Sequence, residues 1–319
     1  YGINIRKSDS SDITAIIDNI KFKIIRKIDS FKLPYTSGNI FFDVKVNKKV
    51  PIYQNITSVN NQDTEDFKTT KCVLRLATDY DVKKEPSPII MMCHGASGQV
   101  SDGSWDNNNT DFLATVDFFS QNGYCVFDVD NTEATTGTVI DVGCPQLVNS
   151  YYKAFKYIRQ NYNVSDKIYI WSRSFGTFSA FSFLHMFPDC VKAMVCTAWR
   201  VGMEDFWNLG ATYKTPIISK FGFVDASGNT FEADKIKSVD PYLDLIDISG
   251  TKYYFKKIPP ILAYYGGDDS TSYKTKPLEV ITAIRNGGNY IRYRDVADQS
   301  HSEIGNLKEI GIKNETLMF

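Results

Sequence analysis

The residues with the strongest claim to chemistry are Ser172-Arg173-Ser174-Phe175-Gly176, which follow the strand-like run Lys167-Ile-Tyr-Ile-Trp171 and lead into an apolar stretch ending at Phe187. A serine hydroxyl attacks a carbonyl carbon only when it stands clear of the backbone and a base can take its proton. A sharp strand-to-helix turn lifts the side chain clear, and small residues must flank it because larger ones would strike the neighbouring strand and helix. Gly176 meets that requirement, and Ser172 puts a second small residue where the pattern G-x-S-x-G has its first glycine. A helix opening there also aims its first amides at developing negative charge. The bland alternative is a serine-rich turn in an unrelated parallel-sheet protein. Proton transfer near neutral pH calls for histidine, and the chain has three: His94, His185 and His301.

Other constellations are weaker. Cys72, Cys93, Cys125, Cys144, Cys190 and Cys196 lack zinc-ligand spacing and read as buried free thiols. That usage suggests a reducing birthplace, or a bacterial or viral source. The stretch from Asp102 to Asp111 is rich in oxygen ligands but lacks the glycine and glutamate placement of a calcium loop, so a solvated loop ending in a helix cap is expected. No glycine-rich phosphate loop is present, and no cofactor or metal is expected.

The serine in its strand-turn-helix context resembles the α/β-hydrolase family, over roughly residues 40 to 319. The family's triad runs Ser, then Asp or Glu, then His. Gly266-Gly-Asp268-Asp269 looks like the family's strand-ending G-x-x-D, which implies Asp269 as the acid with Asp268 as the fallback. His301 follows the last strand candidate, where the family carries its base; it lies 32 residues beyond Asp269, itself 95 beyond Ser174. The resemblance further implies oxyanion donors at the amides of Phe175 and Ala96, the latter in the run Cys93-His94-Gly95-Ala96. His94 then shapes that loop, and His185 is a structural residue of the helix after the serine.

The elements that must position these groups alternate. Strand candidates at 72–78, 89–93, 124–128, 167–171, 191–197, 261–265 and 290–294 are separated by helical patterns, the signature of a mostly parallel α/β sheet. Pro145 opens one helix, 175–187 reads as a central buried helix, and 275–286 ends at Gly287-Gly288. Residues 199–257 form an insert too long for a simple connection, a cap whose aromatic residues make either a small core or a sugar platform. Trp105, Trp199 and Trp207 are candidates to line a substrate cleft. Arg173 and Arg200 could meet an anionic group on the substrate or form structural ion pairs. Residues 30–71 look like hairpins and loops. Residues 13–28 alternate like one or two strands, and 1–30 resembles the tail of a sugar-binding or phage-tail β module, so the catalytic domain is expected to run from 31 to 319.

The chain has 319 residues, with 36 Lys+Arg against 37 Asp+Glu. That balance argues against a dedicated nucleic-acid binder. The uncharged run from Ser174 to Pro188 is too short and too rich in Ser, Thr and His to span a bilayer, so no membrane segment is expected. Beginning at Tyr1, the chain reads as a processed or excised piece, and a secreted or virion-associated location is weakly favoured. The expected activity is hydrolysis of a short acyl ester, an acetylated carbohydrate being the specific candidate. A prolyl-oligopeptidase-like peptidase is the alternative, disfavoured because about 70 residues before the first core strands are too few for a propeller. A catalytically inactive binding module is the third reading.

Overall fold

The computed structural model describes residues 14–17, 20–23, 38–47, 67–96, 98–100, 105–106, 109–130, 143–221, 230–236, 239–240, 242–243, 258–269, 275–305, 307 and 310–319. Strands β1 (Thr14–Ile17) and β2 (Ile20–Lys23) pair antiparallel as a separate ribbon. The main sheet contains β3 (Asn39–Asn47), β4 (Phe67–Arg75), β5 (Ser87–Cys93), β6 (Cys125–Val129), β7 (Val164–Arg173), β8 (Val191–Thr197), β9 (Ile261–Gly266) and β10 (Ile291–Val296). Their spatial order is β10-β9-β8-β7-β5-β6-β4-β3. Every pair is parallel except β3–β4 and β4–β6.

Parallel strands are covered on both faces, which is why the central strands are apolar throughout rather than alternating. In β5, Ile89, Met91 and Cys93 point into the larger core while Ile90 and Met92 point into the smaller one across the sheet. The crossovers are helices. α1 (Thr110–Gln121) covers the smaller core and is capped by Asn109, whose Oδ1 accepts from the amides of Asp111 and Phe112 at 3.1 Å. α2 (Pro145–Asn161) opens on Pro145, whose missing N–H would have had no partner in the first turn. α3 (Gly176–Met186) is apolar nearly all round because it runs through the larger core, where Phe178, Phe181, Phe183 and Leu184 are buried. Each such side chain contributes about 1.5–3 kcal/mol of burial free energy.

The insert supplies α4 (Met203–Asn208), α5 (Ala211–Phe221) and α6 (Ala233–Ile236). Its Phe206, Trp207, Phe221 and Ile236 join the main core, while Phe223, Tyr253, Tyr254 and Phe255 lie outside the described residues. After it come α7 (Thr275–Asn286), α8 (His301–Gly305) and α9 (Ile310–Met318). β4 starts at Phe67 rather than Cys72 because β3 pairs with it along its whole length, from Asn39 against Arg75 to Asn47 against Phe67. β3 lies within the stretch read as hairpins and loops. The rest of 1–30 beyond the β1–β2 ribbon is outside the described residues, as are 48–66.

Candidate active site

β7 and α3 meet at Ser174, whose φ of 52° lies in the left-handed region. A non-glycine residue there costs about 1–2 kcal/mol, and here the surroundings over-determine it. The Ser174 amide donates to the Thr197 carbonyl at 3.0 Å, tying the turn to the end of β8. Gly176 lets the helix start close to β5: a Cβ on it would sit 2.1 Å from the Cys93 carbonyl oxygen and 2.5 Å from that of His94. Backbone atoms cannot swing aside as a side chain can. Gly176→Ala is therefore expected to destabilise the fold by about 3 kcal/mol, at the upper end of overpacking costs. Thermal melting should register it as a fall of roughly 4–5 °C for a chain of this length.

A second close approach brings the acid and base loops together. A Cβ on Gly266 would lie 2.2 Å from the Gln299 carbonyl oxygen. The amide of Gly267 donates to Val296 at 2.7 Å, and that of Asp268 donates to Gln299 at 3.1 Å. Immediately beyond, Ser300 and Glu303 form a capping box at the start of α8. The Ser300 amide and hydroxyl donate to Glu303 Oε2 at 2.8 and 2.7 Å, which fixes His301 in the helix's first turn.

The result is a chain of contacts. His301 Nε2 is 2.9 Å from Ser174 Oγ, and His301 Nδ1 is 2.7 Å from Asp269 Oδ2. Asp269 is buried, whereas Asp268 is exposed. Burial pulls the Asp269 pKa upward, but the hydrogen bond from His301 and the positive charge of Arg200 together outweigh it, leaving the carboxyl below its ordinary value. Arg200 Nη2 lies 3.1 Å from Asp269 Oδ1. Such an arrangement can pass a proton from the serine to the imidazole while the carboxylate holds the ring.

Beside the serine, a Cβ on Gly95 would lie 3.5 Å from Ser174 Cβ, so the Gly95-Ala96 loop runs alongside the turn. Phe175 caps the N-terminus of α3. His94 is buried with Nδ1 3.0 Å from Asp128 Oδ2; Asp128 Oδ1 also accepts from the Tyr151 hydroxyl and the Val129 amide at 2.8 Å. His185 sits in the last turn of α3.

Solved structures with the same arrangement of strands and helices include fluorophosphonate-binding serine hydrolase F of Staphylococcus aureus. The match has TM-score 0.58 and 14% identity over 88% of this chain and 98% of that one. An S-formylglutathione hydrolase from Agrobacterium tumefaciens matches with TM-score 0.56 and 13% identity, over 89% of this chain and 96% of that one. The chain has the α/β-hydrolase fold. The acylaminoacyl peptidase of Pyrococcus horikoshii is also similar, with TM-score 0.58 and 11% identity over 79% of this chain, which spans only 39% of that peptidase. No protein-family model matches the sequence, and no curated protein shows significant sequence similarity to it.

Within this α/β-hydrolase fold, several residues expected at the substrate are elsewhere. Trp105 is fully buried in the smaller core beside Phe112, Trp199 stacks on Phe181 at 5.5 Å, and Trp207 is buried edge-on to Phe231. All three belong to the core because their large apolar rings are worth more there than at a wet cleft. Arg173 is paired with Asp106 at 3.4 Å and packs against Gly305 of α8, so it is a structural ion pair rather than a substrate contact. Arg200 sits behind the acid rather than facing outward. Tyr213 is half-buried and stacks on Phe175 at 5.6 Å, bringing the insert against the residue after the serine. The Ser300–Glu303 box was overlooked in the sequence, although S-x-x-E at a helix start is a recognisable signal.

Proposed function

We propose that this protein is a serine hydrolase that cleaves carboxylic esters through an acyl-enzyme on Ser174. The observation that carries this reading is the 2.9 Å approach of His301 Nε2 to Ser174 Oγ, with Asp269 2.7 Å from the other ring nitrogen. Ser174 Oγ attacks the carbonyl carbon as its proton passes to Nε2, and a tetrahedral oxyanion forms. The amides of Phe175 and Ala96 stabilise that charge, a single donor of this kind being worth about 3 kcal/mol of barrier. The imidazolium then protonates the departing alcohol, which leaves an ester between the acyl group and Ser174. Water, deprotonated by the same ring, hydrolyses that ester and frees the serine. Asp269 holds the ring in the tautomer with its proton on Nδ1 throughout.

The ester reading draws on the S-formylglutathione hydrolase among the structures of this fold, and the acylaminoacyl peptidase of the same fold supplies the alternative. The test is turnover of p-nitrophenyl acetate and acetylated xylan beside a proline-containing peptide. The reading predicts rapid release of p-nitrophenolate, with acetate release from the glycan as the narrower case. Faster cleavage of the peptide than of any ester would overturn it in favour of a peptidase.

A further inference from the structure

Arg200 is buried behind the acid and base, and its backbone is fixed on both sides. Upstream, Ala198 takes a φ of 48°, and the Trp199 carbonyl accepts from the Tyr265 hydroxyl while its ring stacks on Phe181. Downstream, the amides of Gly202 and Met203 donate to the buried carboxylate of Asp240, the former at 3.0 Å. An arginine that met an anionic substrate would need reach. This one is set to a single position.

We propose that Arg200 is a positioning residue of this site: it holds the Asp269 carboxylate so that His301 keeps its proton on Nδ1 and leaves Nε2 open to Ser174. The inference rests on the serine-hydrolase reading. Arg200 Nη2 is 3.1 Å from Asp269 Oδ1, while Asp269 Oδ2 is 2.7 Å from His301 Nδ1, so the two oxygens of one carboxylate are divided between guanidinium and imidazole. Arg200 Nη2 also lies 2.9 Å from His301 Nδ1. A guanidinium can only donate, so two arrangements compete. With Nδ1 protonated, the ring donates to Oδ2 and the arginine to Oδ1. With Nδ1 bare, the ring accepts from the arginine, its proton moves to Nε2, and it has no lone pair to offer Ser174. An ionised carboxylate at the junction selects the first arrangement, and the fixed cation beside it favours that ionised form. Lysine can supply the charge but not the planar fork, so it should substitute in part.

The experiment compares Arg200→Met, Arg200→Lys, Asp269→Asn and the Asp269→Asn/Arg200→Met pair with the unmutated protein. The readouts are the second-order rate of fluorophosphonate labelling, kcat and KM on p-nitrophenyl acetate, and thermal melting. Arg200→Met is expected to lower kcat and the labelling rate by about ten- to a hundredfold with KM unchanged, a loss in line with slight misplacement of reacting groups. Arg200→Lys should recover part of the loss, and Arg200→Met should have no further effect once Asp269 is asparagine. Should Arg200→Met fail to fold, Arg200→Gln takes its place, read by the far-downfield proton resonance of Nδ1–H, expected in the unmutated and lysine proteins and lost in the glutamine one. A folded neutral variant with unchanged rate or resonance overturns the inference, as does a multiplicative loss in the double variant or a lysine variant as poor as methionine. An unlabelled unmutated protein removes the hydrolase reading itself; a labelled one with equally fast Arg200 variants removes only this inference.

Discussion

Ser174→Ala and His301→Ala are each expected to lower ester turnover by about 10⁶-fold, with the double variant no worse than either alone. The expectation follows from the geometry of the pair. Ser174 Oγ and His301 Nε2 are 2.9 Å apart, so neither does chemistry without the other: the hydroxyl needs a base at hydrogen-bond distance, and the base has no second proton to take. Turnover left in both variants should exceed that in water, since both keep the proposed oxyanion donors, the amides of Phe175 and Ala96. Both variants should melt near the unmutated protein. The strained turn is held by the Ser174 amide on Thr197 and by the close approach of Gly176 to Cys93, which do not involve the hydroxyl. Steady-state turnover and thermal melting check this. Multiplicative losses would mean that the two side chains do not act on the same proton.

Asp269→Asn is expected to lower kcat by about 10⁴-fold while Asp268→Asn leaves it unchanged. An amide keeps the size of the carboxyl but offers a donor where His301 Nδ1–H requires an acceptor, which turns the ring to the wrong tautomer. Asp268 is exposed, and its backbone rather than its side chain serves the site, through the hydrogen bond that its amide donates to the Gln299 carbonyl. The same variant has a signature in acid. The Asp269 pKa is depressed in the folded protein, against burial, by the His301 hydrogen bond and the Arg200 charge. Its ionised form therefore favours folding: the contribution is complete above the ordinary carboxylate pKa of about 4 and fades as pH falls through the lower folded value. The melting temperatures of the unmutated protein and Asp269→Asn should differ fully at neutral pH and converge below about pH 4.

Much of the sheet could be read from residue order because β5 to β9 are buried on both faces and so carry dense apolar runs, with Gly, Pro and Asp punctuating their ends. β3 was harder: it alternates buried Val44 and Val46 with exposed positions such as Phe41 and Lys45, the pattern of a sheet edge, which a hairpin or loop can mimic. Ser174 stood out because its turn demands small neighbours in one short stretch. The choice of Asp269 over Asp268, by contrast, depends on how Gly266 and Gly267 pack against 296–299, a contact between segments thirty residues apart. The tryptophans misled for a physical reason. A large ring with one polar atom suits a substrate platform and a core equally well in composition, and only burial distinguishes them, as at Trp105, Trp199 and Trp207. Arg200 was ambiguous on the same ground: three residues past β8, its direction is set by the left-handed turn at Ala198, which no local sequence rule marks.

The most direct measurement is covalent labelling with a fluorophosphonate followed by mass spectrometry of the proteolysed protein. One phosphonyl group per chain on the peptide that carries Ser174, absent in Ser174→Ala and strongly slowed in His301→Ala, is the predicted result. No label on the folded protein, or a label on a serine other than Ser174, would contradict the account.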